Sequence, residues 1–133
     1  MASSTFHQLM QPLLRHLNVS APVVEENQGL RIDFEHIRVQ LTPLNNEELL
    51  VVASLGNLSM QRDTDIAWKL LAENDFDQPA PAINLTVQGE DKMLLLWCRE
   101  RFLHLDGSTL IALFERLVDK ANGTVLLATS QQT

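Results

Sequence analysis

Residues 83–98 read Ile-Asn-Leu-Thr-Val-Gln-Gly-Glu-Asp-Lys-Met-Leu-Leu-Leu-Trp-Cys, two apolar segments around a polar quartet. In the first segment Ile83, Leu85 and Val87 alternate with Asn84, Thr86 and Gln88, the period of a strand buried on one face. Gly89, Glu90, Asp91 and Lys92 then form a four-residue hairpin loop. With that loop Gln88 lies opposite Met93, and Leu94, Leu96 and Cys98 share the core face with Val87, Leu85 and Ile83. Met93, Leu95 and Trp97 fall on the other face, beside Gln88, Thr86 and Asn84. A solvated sheet face does not ordinarily carry three large apolar residues in succession, so something covers them. A helix of the same chain would serve, and so would a second subunit.

Working outward, residues 30–41 show the same period with a shift of phase. Leu30, Ile32 and Phe34 alternate with Arg31, Asp33 and Glu35, whereas Ile37, Val39 and Leu41 continue in the opposite parity. One continuous strand would switch faces there, so Glu35-His36 must be a tight turn or a bulge. Pro43 and Asn45-Asn46 mark the next turn, and residues 49–55 read as a third strand ending at Gly56. Three helices surround these strands. The first carries Phe6, Leu9, Met10, Leu13, Leu14 and Leu17 on one face, with Thr5 and Gln8 spaced as a capping box. Pro12 interrupts it, so the helix either bends there or starts late; the phase of Phe6 and Met10 favours the bend. The second begins at Asp63 and shows Ile66, Ala67, Leu70 and Leu71, with Trp68 widening the stripe. The third starts near Asp106 or Ser108 and carries Leu110, Phe114, Leu117, Val118 and Ala121; Asn122-Gly123 would stop it, although Val125 stays in phase. The order α-β-β-β-α-β-β-α predicts an α+β fold, a mostly antiparallel twisted sheet faced by helices.

The chain's 133 residues suit one domain, spanning residues 1–133 with a loose tail from about residue 129, and 45% apolar content supports a packed core. Seventeen Asp and Glu against ten Lys and Arg leave a net charge of −7, which opposes a phosphate-tracking surface and hence nucleic-acid binding. The longest apolar runs, residues 49–53 and 93–98, are far short of a membrane span, so no membrane insertion is expected. The first residues show neither a basic leader nor an apolar secretory core, which points to the cytosol. One cysteine, Cys98, excludes an internal disulfide, a cysteine zinc cluster and a CxxC pair.

Catalytic and metal motifs are missing from the sequence. His7, His16, His36 and His104 show no i, i+3 or i, i+4 pairing, and no HExxH occurs. Ser54 lacks the GxSxG elbow, and Asp63, Asp65, Asp75 and Asp77 do not follow calcium-loop spacing. The five glycines form no phosphate-cradling loop. Asn18, Asn57, Asn84 and Asn122 begin N-x-S/T triplets, which without a secretory leader are chance matches. The expectation is a protein that is not an enzyme, with no catalytic residues, no metal and no cofactor.

Element order, size, acidity, the paired strands of residues 30–41 and 49–56, the apolar hairpin and the Phe114-Glu-Arg-Leu-Val118 helix together resemble the class I type III secretion chaperones, the Tir-chaperone family of Gram-negative bacteria. The resemblance spans roughly residues 4–128, and Pro12 departs from the uninterrupted first helix it leads one to expect. It implies a cytoplasmic homodimer that binds a segment near the N-terminus of an effector protein, keeps it extended and presents it to the secretion apparatus, including its ATPase. Effector-binding grooves would be lined by Leu9, Leu13 and Leu17 of the first helix and Ile32, Phe34, Val39 and Leu41 of the first strands, although each position taken singly reads as core. The dimer interface would use Trp68, Met93, Leu95 and Trp97. Two other classes remain open: a general dimeric adaptor unrelated to secretion, and a small enzyme whose site is assembled from scattered polar residues.

Overall fold

Among the described residues six antiparallel strands form one sheet, in which the last two along the chain lie in reversed order at one edge. The computed structural model describes residues 2–17, 23–26, 29–34, 37–55, 64–89 and 93–129. Along the chain these comprise α1 (Ala2–His16), β1 (Val23–Glu26), β2 (Gly29–Asp33), β3 (Arg38–Pro43), β4 (Glu48–Ser54), α2 (Thr64–Ala72), β5 (Asn84–Gln88), β6 (Met93–Arg101), a 3-10 turn at Phe102–His104 and α3 (Gly107–Thr129). The expected α-β-β-β-α-β-β-α order is present, with one strand more: β1, which pairs with β2 from Val23 opposite Ile32 to Glu26 opposite Gly29.

The phase shift in residues 30–41 falls between two antiparallel strands, with Glu35 and His36 outside the described residues. Asp33 lies opposite Arg38, and the Phe34 N–H donates to the Ile37 carbonyl at 2.8 Å, so chain direction reverses between them. Leu30, Ile32, Val39 and Leu41 consequently reach the same buried face. The β5–β6 hairpin has the expected register, Gln88 opposite Met93 and Asn84 opposite Trp97. Gly89 opens its loop at φ 73, a left-handed conformation that glycine adopts without strain. Between β3 and β4, Glu47 takes φ 62 and its carbonyl accepts from the Phe102 N–H at 3.0 Å, which ties this turn to the end of β6.

α1 and α3 pack against each other and against the sheet. Their stripes meet the strands in one core containing Phe6, Met10, Leu13, Ile32, Leu41, Leu49, Ile83, Leu94, Leu96, Leu110 and Leu117, all essentially without solvent contact. Truncating any one of the leucines to alanine should cost about 2–5 kcal/mol. α1 continues through Pro12, so a late start is not adopted, and it begins at Ala2, three residues ahead of Thr5, so the capping box expected at Thr5 and Gln8 does not open the helix; Asp63 ahead of α2 lies outside the described residues. α3 runs past Asn122-Gly123 to Thr129, because Ala121 and Thr124 remain buried and the Thr124 hydroxyl donates to the Lys120 carbonyl at 2.8 Å. Packing outweighs the local stop signal. The tail expected beyond α3 lies outside the described residues. The stripe expected on α2 is only partly inward: Leu70 is buried, whereas Trp68 and Leu71 are 70% and 60% exposed.

Candidate protein-binding surfaces

Two apolar surfaces remain incompletely covered on this framework. The first lies where α1, the β2–β3 hairpin and α3 meet. Leu14 of α1, Leu17 just after that helix and Phe34 after β2 pack against the core while staying partly exposed, and the Phe34 ring stands 6.1 Å from Phe114 of α3, centroid to centroid. His16 Nε2 lies 2.6 Å from Glu115 Oε1, which fastens the end of α1 to the same helix. Of the residues expected along a groove, Leu9, Leu13, Ile32, Val39 and Leu41 are core in the isolated protomer, and Leu17 and Phe34 are half-buried.

The second surface is the sheet face turned away from α1 and α3. Alternation in β6 buries Leu94, Leu96 and Cys98 and leaves Met93, Leu95 and Trp97 half-buried. β4 extends the apolar area, since Val52 lies opposite Trp97, and Leu50 is its neighbour on that face. Trp68 is exposed on α2, a helix that packs on α3. Phe76, shortly after α2, is 99% exposed. Sequence reasoning had no signal for Phe76, because it sits outside any periodic segment.

The polar groups of these regions are occupied structurally. His104 Nδ1 lies 2.9 Å from Glu100 Oε1, four residues earlier in the chain. Burial pushes the Glu100 carboxyl up, but the hydrogen bonds from His104 and the Arg101 N–H, with the neighbouring positive charges, hold it below its ordinary value. This pair borders a hollow of about 300 Å³ that also includes Thr109 and Arg116. Thr109 Oγ1 is engaged with Asp106, and the Arg116 guanidinium donates to the Pro81 carbonyl. Desolvation raises the Cys98 thiol to about 11, opposite to what a nucleophilic thiolate requires. Among the described residues no three His, Cys, Asp or Glu side chains cluster as metal ligands. No described helix is long and apolar enough to cross a membrane.

Residues 8–124 match the Tir chaperone protein (CesT) family. The chain belongs to that family. No curated protein sequence matches it closely enough to name a relative. Solved structures share its fold. A chain of the Yersinia pestis type III secretion chaperone SycH in complex with a stable fragment of YscM2 is 22% identical with a TM-score of 0.66; the match covers 93% of this chain and 99% of that one. A chain of the HopA1–SchA chaperone–effector complex is 16% identical with a TM-score of 0.73, covering 94% and 96%. A chain of the ExoU–SpcU complex, from the Pseudomonas aeruginosa type III secretion system, is 20% identical with a TM-score of 0.68, covering 95% and 98%. The Tir-chaperone assignment gives the half-covered apolar surfaces a context, because a protein-binding domain needs apolar area that its own fold does not consume.

Proposed function

We propose that this protein is a cytoplasmic type III secretion chaperone, a homodimer that binds a segment near the N-terminus of an effector, keeps it extended and presents it to the secretion apparatus and its ATPase. The observation that carries this reading is family membership over residues 8–124, on a fold whose apolar surfaces stay half-covered. It is not an enzyme in this reading: Asp106 caps α3, and His16, Arg116 and Lys120 tie elements together.

An extended client must exchange water for apolar pockets along its length and lose chain entropy, so the contact has to be large. α1 and the β2–β3 hairpin would supply it, with Leu17 and Phe34 meeting the client directly. Leu9, Leu13, Ile32, Val39 and Leu41 would form the floor that holds those two side chains in place. Met93, Leu95 and Trp97, with Trp68 of α2, would meet a second copy. The surplus of acidic residues would favour clients whose apolar anchors are flanked by Lys or Arg, chiefly through the association rate.

Capture of the tagged protein from its native cytosol, followed by limited proteolysis, tests the reading. The expected result is one contiguous protected stretch near the N-terminus of the captured chain, lacking an unfolding transition of its own. A captured partner that is protected throughout and folded independently would contradict it.

A further inference from the structure

The sheet ends in two edges, β1 on one side and β5 on the other. At the β5 edge, side chains stand where a neighbouring strand would. Asn74 Nδ2 donates to the Leu85 carbonyl at 2.8 Å, and the Leu85 N–H donates back to Asn74 Oδ1. Gln78 repeats the arrangement one pleat earlier: Nε2 donates to the Ile83 carbonyl at 3.0 Å, and Oε1 accepts the Ile83 N–H at 3.1 Å. Each side-chain amide thus takes both backbone groups of a single residue, as the opposite residue does in a hydrogen-bonded antiparallel pair.

The segment that carries these amides, residues 73–82, is fastened to α3. Lys120 Nζ donates to the Glu73 carbonyl at 2.9 Å and lies 3.3 Å from Gln78 Oε1, and Arg116 holds the Pro81 carbonyl. Gln78 Nε2 also reaches the Asp75 carbonyl at 2.9 Å, which closes the strap on itself. The cover stops at Leu85; the next residue of that parity, Val87, is 55% exposed.

An uncovered edge strand is a template for another strand, and one such as β5 can pair antiparallel with its own copy across a two-fold axis. We propose that residues 73–82 guard this edge, with Asn74 and Gln78 occupying the outward backbone groups so that a second copy of the chain cannot add its β5 to the sheet. The guard is independent of how the native assembly forms, because it concerns association beyond the wild-type mass.

Sedimentation velocity over a concentration series, with residue-resolved amide exchange, tests it on two double variants. Asn74→Ala with Gln78→Ala should expose the Ile83 and Leu85 amides, each exchanging about tenfold faster in dilute solution for the loss of one hydrogen bond. At higher concentration a species of twice the wild-type mass should grow in, and protection at residues 83–87 should return. Asn74→Asp with Gln78→Glu removes the donors to the Leu85 and Ile83 carbonyls but keeps oxygens that accept their N–H groups, and it adds charge at the edge, so those amides should exchange more slowly than in the alanine pair and the wild-type mass should be kept. An alanine pair that exchanges fast yet never changes mass, or one whose two amides exchange no faster than wild type, overturns the proposal. So does a carboxylate pair that associates as strongly as the alanine pair, because the retained acceptors and the added charge would then give no protection against a second copy. If the alanine pair fails to fold, Gln78→Ala alone decides: a doubled fraction supports the guard, and an unchanged mass contradicts it.

Discussion

Gly107, the first residue of α3, faces the ring of Pro12 in α1 so closely that a Cβ on Gly107 would come within 2.8 Å of Pro12 Cγ and 2.9 Å of its Cβ. The proline that breaks the expected pattern of the first helix is therefore a packing element. It gives up one helical hydrogen bond and seats the start of the last helix against the middle of the first. Gly107→Ala should lower stability by about 1–2 kcal/mol despite the better helix propensity of alanine, because the ring cannot move aside without shifting α1. In a Pro12→Ala background the same change should cost less, since Cγ is gone. A denaturant double-mutant cycle measures this; equal penalties in both backgrounds would refute the contact's role.

The α3 start has a second determinant in Asp106. Its Oδ1 accepts the Thr109 N–H at 2.9 Å and the Ser108 hydroxyl at 3.0 Å, while the Asp106 N–H donates to Thr109 Oγ1 at 2.7 Å. The Thr109 N–H above all, then the Ser108 and Thr109 hydroxyls, hold this carboxyl below its usual range. Folding lowers that pKa, so the stability tied to ionisation is present above the unfolded carboxylate's pKa and is lost as pH falls through the folded one. Asp106→Ala should reduce Tm by several degrees at neutral pH. Asp106→Asn keeps an acceptor without the charge and should narrow its deficit relative to wild type as the solution is acidified. Thermal melts from neutral to acid pH check both.

Burial moves the Cys98 thiol in the other direction, from 9.0 to about 11. Because the folded value is raised, the associated stability is complete below about pH 9 and disappears as pH rises through the folded value near 11. The loss is on the order of 2 kcal/mol. Cys98→Ala should cost roughly 1 kcal/mol at pH 7 through lost packing and should flatten the alkaline slope of the stability curve. Alkylation of native protein should be no faster than global unfolding; rapid labelling at pH 8 would contradict the buried thiol.

The half-buried Met93, Leu95 and Trp97 face predicts a dimer, with light scattering after size exclusion giving a mass near twice the chain's 15.0 kDa. Leu95→Asp should shift it to the monomer mass, because desolvating a carboxylate in the contact costs several kcal/mol. Wild-type protein that is monomeric at micromolar concentration would end the idea.

Legibility of this fold followed the strength of its alternation. Ile83 to Val87 and the two halves of Leu30 to Leu41 alternate clearly, and from them the β5–β6 register and the core face could be read, while a turn and a bulge stayed open at Glu35-His36. β1 could not be: Val23-Val-Glu-Glu26 is four residues long and alternates nowhere, so only its partner β2 defines it. Sequence alone leaves the end of α3 open at Asn122-Gly123, because Gly123 faces open space and signals a stop while Thr124 on the next position is buried and carries the helix on. Surfaces were less legible still. Alternation shows which face turns inward, and the same pattern describes a core and a groove floor, so Ile32 and Phe34 look equivalent in sequence although only Phe34 stays partly exposed. The bonds of Asn74 and Gln78 to β5 carry no sequence signature, since isolated amides in a polar loop are commonplace.

Hydrogen-exchange mass spectrometry on the complex with the captured client tests the central claim most directly. Exchange should slow in α1 and in the β2–β3 hairpin when the client binds, and the bound client segment should be protected without a cooperative transition of its own. Phe34→Asp and Leu17→Asp, both at partly exposed positions, should leave a folded dimer and weaken that protection at least tenfold in client affinity, a loss of about 1.4 kcal/mol or more. Protection confined to the C-terminal half of α3, or a bound client that unfolds as a compact domain, would contradict the account.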